Sequence, residues 1–149
     1  MKKMVKSLTD LESLAGELLK KLKKDQQATI VTLAGDLGSG KTAFTQMIGK
    51  KLGIKTKITS PTFVIQKKYE LPLSGPQGIS TGYKQLIHID AYRLNSGRDL
   101  LLLGWDEIMA NPDNLILLEW PEKVKDIIPA DVYKINFKFV DDSSREISF

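Results

Sequence analysis

Apolar residues recur along this chain with two periods, and the switches between them outline its elements. From 8 to 22, Leu8, Leu11, Leu14, Ala15, Leu18, Leu19 and Leu22 stand three and four apart. That spacing predicts an amphipathic helix packed on a core, with Ser7 or Thr9 as its cap. Thr29-Ile30-Val31-Thr32-Leu33-Ala34 is short, apolar and β-branched, as a strand covered on both faces should be. Over 42–52, Phe44, Met47, Ile48 and Leu52 return to helical spacing, with Lys50, Lys51 and then Gly53 marking the stop. Residues 86–89 and 115–118 are two further apolar runs that read as strands. The stretch 95–109 reads as one helix or two short ones, because Gly104 weakens its middle.

The other segments are less regular. Residues 58–65 predict a turn at Ser60-Pro61 leading into alternating strand residues, which resume over 67–71. Residues 72–83, rich in Gly, Pro and Ser, read as an exposed hairpin loop. Over 132–140, Val132, Lys134, Asn136 and Lys138 alternate with Tyr133, Ile135, Phe137 and Phe139. That predicts an edge-like strand, paired with 145–149 across the turn at 141–144.

Candidate chemistry lies between the first buried strand and the helix that follows it. Gly35-Asp36-Leu37-Gly38-Ser39-Gly40-Lys41-Thr42 matches the phosphate-cradling P-loop at every required position. A loop that wraps an anion brings its backbone N–H groups close to it, so glycines stand where a side chain would block approach or forbid positive φ. Asp36, Leu37, Gly38, Ser39, Gly40, Lys41, Thr42 and Ala43 are therefore the expected nucleotide-binding residues, with Lys41 reaching the β/γ-phosphates and Thr42 a Mg²⁺ ligand. Strand, loop and helix together predict an α/β fold, a P-loop NTPase-like three-layer sandwich. Its central sheet is mainly parallel with antiparallel additions, and residues 1–149 make one P-loop ATPase domain.

Hydrolysis needs a carboxylate near the metal as well. Asp90 ends the strand 86–89 and Glu119 follows the strand 115–118; in a parallel sheet both ends face the crevice of the P-loop. His88 shares a strand face with Asp90, and a lone histidine reads first as a structural residue. Arg93 offers a bidentate partner for a phosphate or carboxylate. Trp105 and Trp120 read as core or interface anchors.

Composition narrows the field. The net charge of +4 comes mostly from lysine, the only arginines being Arg93, Arg98 and Arg145. The lysines at 20, 21, 23 and 24 suit the end of the first helix as a solvated cluster. There is no cysteine and one histidine, which excludes disulfides, thiolate catalysis and a multi-histidine metal site. No apolar run long enough for a signal peptide or membrane span is found, so a cytoplasmic protein is expected.

The P-loop, Ser60-Pro61-Thr62-Phe63, His88-Ile89-Asp90-Ala91-Tyr92-Arg93-Leu94 and Glu119-Trp120-Pro121-Glu122, in this order, resemble the bacterial TsaE (YjeE) family. The P-loop is generic, whereas the other three motifs together are specific. The resemblance implies an ATPase required for threonylcarbamoyl modification of adenosine 37 in tRNA, with ATP and Mg²⁺ as cofactors. It implies TsaB and TsaD as protein partners, reset by ATP hydrolysis, with tRNA reached through their complex. It makes Glu119 the second metal ligand beside Thr42, and puts Asp90 in the place of the Walker-B acid. Thr62 takes a switch-like position that senses the γ-phosphate, and Lys41 completes the catalytic set. Residues near Thr9 to Ser13 would lie toward adenine. Ser39, Ala91 and a long 72–83 stretch are the departures from the family pattern. A P-loop small-molecule kinase is the alternative, and so few arginines argue against it. A guanine-reading Asn-Lys-x-Asp motif is absent, which favours adenine.

Overall fold

The computed structural model describes residues 1–61, 63–73 and 80–149. Seven strands form one sheet: β1 (Lys2–Val5), β2 (Thr29–Ala34), β3 (Gln66–Glu70), β4 (Gln85–Asp90), β5 (Asn114–Glu119), β6 (Tyr133–Asp141) and β7 (Ser144–Ser148). Their spatial order is β1-β7-β6-β2-β5-β4-β3. The centre, β6-β2-β5-β4, is parallel, and β3, β7 and β1 are added antiparallel. The expected mixed sheet is thus present.

Helices cover both faces. Helix α1 (Leu8–Lys21) starts at Ser7, whose Oγ accepts the Asp10 N–H at 3.1 Å, which selects Ser7 over Thr9 as the cap. It packs with α2 (Lys41–Lys51) over a layer that includes Val31, Leu33, Leu86, Leu115, Leu117 and Ile135. On the opposite face, α3 (Gly97–Leu101) and α4 (Trp105–Ala110) cover Ile30, Ile87, Ile89, Ile116 and Leu118. Gly104, with φ +86°, divides them as its helix-weakening position predicts. Parallel strands with both faces covered have no solvent side, so β2, β4 and β5 are buried almost throughout.

The structure corrects four details. β6 is not an edge strand: it lies between β2 and β7, and its alternation arises because Ile135 and Phe137 face the core while Lys134, Asn136 and Lys138 are exposed. Residues 58–61 and 63–65 contain no strand; Ile58 packs into the core instead, and Gln46 Nε2 donates to its carbonyl at 2.9 Å. Leu8, in the first turn of α1, is exposed. Tyr83, at the end of the loop-like stretch, is buried with its hydroxyl 2.7 Å from Thr29 Oγ1. Residues 74–79 of that stretch lie outside the described residues.

The turn after β2 depends on Gly35. Its φ is +148°, and a Cβ there would stand 2.5 Å from the Phe137 carbonyl oxygen and 2.8 Å from Ser39 Oγ. Gly38 and Gly40, at φ +74° and +105°, would place a Cβ in open space, so only their backbone conformation demands glycine. Gly35→Ala is therefore expected to lower stability by roughly 2 kcal/mol or more, against about 1 kcal/mol for Gly38→Ala. Thermal unfolding of the two variants checks the order.

Candidate functional site

The register of three parallel strands assembles the site. Leu33 of β2 pairs with Glu119 of β5, and Glu119 pairs with Asp90 of β4. The two acids therefore end adjacent strands on the sheet face that carries α1 and α2, with Glu119 beside the end of β2 that leads into the glycine loop. Both are nearly inaccessible to solvent, at 3% and 4% exposure. A cavity of about 300 Å³ opens above them, lined by residues 37–43 together with Ser60, Asp90, Tyr92, Glu119 and Trp120.

The helix end facing this cavity has no side-chain cap and no acid in its first turn. The first N–H to be taken up within the helix is that of Phe44, donating to the Gly40 carbonyl at 2.9 Å. The amides of Lys41, Thr42 and Ala43 precede it and belong to the turn whose donors a helix leaves unpaired. With the positive end of the helix dipole and left-handed Gly38 and Gly40, they make an anion cradle.

Lys41 lies folded back behind that cradle. Its Nζ donates to the carbonyls of Gly35 (2.5 Å) and Asp36 (2.8 Å), and 3.4 Å separates it from Ser39 Oγ. The Trp120 ring covers it, 4.6 Å from the ring centre, a cation–π arrangement. Trp120 holds a left-handed φ of +59°, uncommon for a bulky residue. It therefore lines the site, whereas Trp105 is core as expected. Asp36 contributes its carbonyl to Lys41 and does not line the cavity.

Glu119 Oε1 accepts from Thr42 Oγ1 at 3.4 Å and lies 3.0 Å from His88 Nε2. Asp90 Oδ1 accepts the Tyr92 N–H at 2.9 Å, and the Tyr92 and Trp120 rings meet at 5.0 Å. His88 is thus more than a packed core residue, a connection its position in the sequence did not reveal. Arg93 stays off the cavity lining, stacked over the Phe63 ring at 4.7 Å. Arg145 was given no site role by the sequence. It reaches the loop from β7, with Nη2 3.3 Å from the Gly38 carbonyl; only the β6–β7 hairpin brings it there. Thr62 lies outside the described residues.

An oxygen donor set of one hydroxyl and one carboxylate beside an anion cradle suits Mg²⁺, which takes one or two protein ligands and completes its shell with phosphate and water. Among the described residues no cluster of three or more His, Cys, Asp or Glu side chains could hold a metal ion.

A buried strand, a left-handed glycine loop and an uncapped helix at the carboxyl rim of a parallel sheet define the P-loop NTPase class of α/β protein. Residues 5–147 match the family described as "Threonylcarbamoyl adenosine biosynthesis protein TsaE". The chain belongs to this TsaE family. The tRNA threonylcarbamoyladenosine biosynthesis protein TsaE of Rickettsia bellii is 38% identical over 117 residues, 78% of this chain and 73% of that protein. The protein of the same name from Bacillus subtilis is 35% identical over 120 residues, 80% of this chain and 68% of its own length. The crystal structure of Bacillus subtilis YdiB superposes with a TM-score of 0.72 at 28% identity, over 99% of this chain and 82% of that one.

Burial lowers the Lys41 pKa below the ordinary 10.5; the charges of Glu119, Asp90, Glu122 and Asp36 pull it back only in part. Between the folded value and 10.5 the unfolded chain binds more protons than the folded one, so the contribution of Lys41 to stability rises with pH across that window. Below the window it is constant. Urea unfolding of wild type and Lys41→Met, followed from neutral pH toward 10.5, should show the difference moving in favour of wild type.

Proposed function

We propose that this protein binds ATP with Mg²⁺ and hydrolyses it, and that it serves the threonylcarbamoyl modification of tRNA adenosine 37. The observation that carries the reading is the uncapped start of α2 beside the Thr42–Glu119 contact, with two left-handed glycines open to the same cavity. Family membership supplies the pathway, since relatives such as the Rickettsia bellii protein are named for that biosynthesis.

The phosphates lie against residues 37–43, and Lys41 leaves the Gly35 and Asp36 carbonyls to meet their charge. Thr42 and Glu119 would hold the metal, which would supply charge neutralisation beside the phosphates. Asp90, across from Glu119 in the register, is the second carboxylate of the catalytic set. The adenine end lies on the flank of the loop, where Ser7, Leu8 and Leu11 of the α1 start face Ser39, Gly40, Ala43 and Arg145 across a space of about 210 Å³. Of the stretch expected to lie toward adenine, only Leu11 lines this space.

The protein works with TsaB and TsaD and meets tRNA through them. Leu37 and Tyr92 line the cavity and are exposed. An apolar rim at a nucleotide site suits a partner whose docking is coupled to the nucleotide state. No helix among the described residues is long and apolar enough to cross a membrane.

Lys41→Ala is expected to weaken ATP binding by about 100-fold, because a buried charge-assisted phosphate contact is lost. Glu119→Ala should keep nucleotide affinity better than Mg²⁺-dependent hydrolysis, read by calorimetry and phosphate release. Hydrolysis measured with and without the two partner proteins tests the assignment as a whole: a rise on their addition is expected. Transfer of labelled phosphate to an acceptor instead of water would turn the reading into a kinase.

A further inference from the structure

The one histidine of the chain interrupts the apolar run of β4, between Ile87 and Ile89. Its side chain is fully buried. Nε2 faces Glu119 Oε1 at 3.0 Å, while Nδ1 has no hydrogen-bond partner among the described residues. A carboxylate oxygen accepts, so the hydrogen-bond network places the proton on Nε2 and makes the ring the donor. Burying an imidazole with one nitrogen unsatisfied opposes folding. Its neighbours on the same sheet face, Leu86 along β4 and Leu117 across in β5, are apolar. Packing therefore gives no reason for a histidine here, whereas the carboxylate does.

Glu119 ends β5, and its side chain has three rotatable bonds. Two donors meet on the same oxygen: the Thr42 hydroxyl from α2 at 3.4 Å, and His88 Nε2 from the neighbouring strand. We infer that His88 is a positioning residue for Glu119, its Nε2–H fixing Oε1 so that the carboxylate is set toward the cavity beside Thr42. The inference rests on the proposed role of Glu119 as a metal ligand. Hydrogen bonds that orient a ligating group commonly govern metal affinity, and losing one weakens it about 10- to 100-fold. A histidine that only fills space would leave that affinity unchanged.

The test uses the full-length protein with ADP bound, and Mg²⁺ affinity read by competition with Mn²⁺ in electron paramagnetic resonance. His88→Leu should lose about 10- to 100-fold in Mg²⁺ affinity, with ADP affinity in chelator unchanged. His88→Gln, whose amide N–H can occupy the Nε2 place, should recover most of the loss. Equal loss in both variants would show that ring packing, not the donor, matters, and would overturn the inference. So would unchanged affinity in His88→Leu alongside a loss in Glu119→Gln, with the metal role of Glu119 left standing. Unchanged affinity in Glu119→Gln would remove that role and this inference together. Should His88→Leu fail to fold, the wild type decides. Histidine-selective ¹⁵N labelling gives one imidazole, expected as the Nε2–H tautomer with its Nε2 resonance moving on Mg²⁺ addition. An Nδ1–H tautomer, or a resonance indifferent to Mg²⁺, would overturn the inference.

Discussion

The site depends on the parallel pairing of β2, β5 and β4. Parallel neighbours run in the same direction, so the chain leaves all three strands at one rim, and whatever follows them is gathered there. The pairing of Leu33 with Glu119 and of Glu119 with Asp90 also fixes which face the acids occupy. A slip of one residue in β5 would turn Glu119 to the side of Ile30 and Ile89, among apolar residues and away from α2. Apolar side chains fill the faces of these strands below the rim, which makes such a slip costly and keeps the acids in place.

Within that frame the polar groups restrain each other. The Lys41 ammonium is taken out of water and held by loop carbonyls under the Trp120 ring. The Glu119 carboxylate is held by Thr42 and His88. Neither charge is paired directly with the other by a hydrogen bond, and the cavity between the loop and the acids stays open. Low local dielectric strengthens every such interaction and penalises any group left unsatisfied. An anion with a metal entering there would meet the backbone donors of the loop on one side and the carboxylates of the sheet on the other, with Lys41 to be drawn from its carbonyls.

Much of this was legible in the sequence where local chemistry and tertiary structure agree. β2 spans the predicted residues, because a strand buried on both faces reads as an uninterrupted apolar run. The loop was legible because left-handed backbone requires glycine at 38 and 40. Other features left weaker traces. β1 leaves no apolar pattern because Lys2 and Lys3 suit an exposed edge, where backbone pairing with β7 suffices. β6 looked like an edge although it is flanked on both sides, since an uncovered sheet face and a sheet edge both leave alternate residues exposed. Ile58 stands in a segment whose pattern predicts a turn and strand, yet its side chain is buried against α2.

The amino-acid order by itself determined the strand-loop-helix unit, the acids closing two strands and the residue types able to meet phosphate and Mg²⁺. These rest on φ preferences, hydrophobic period and side-chain chemistry, which act over a few neighbouring residues. Tertiary structure decided which acid faces Thr42, that His88 reaches Glu119, that Trp120 covers Lys41, and that Arg145 arrives beside Gly38 from the far end of the chain. Those relations join residues 31, 77, 79 and 107 positions apart. Only strand register and helix packing bring such separations within hydrogen-bond or van der Waals range.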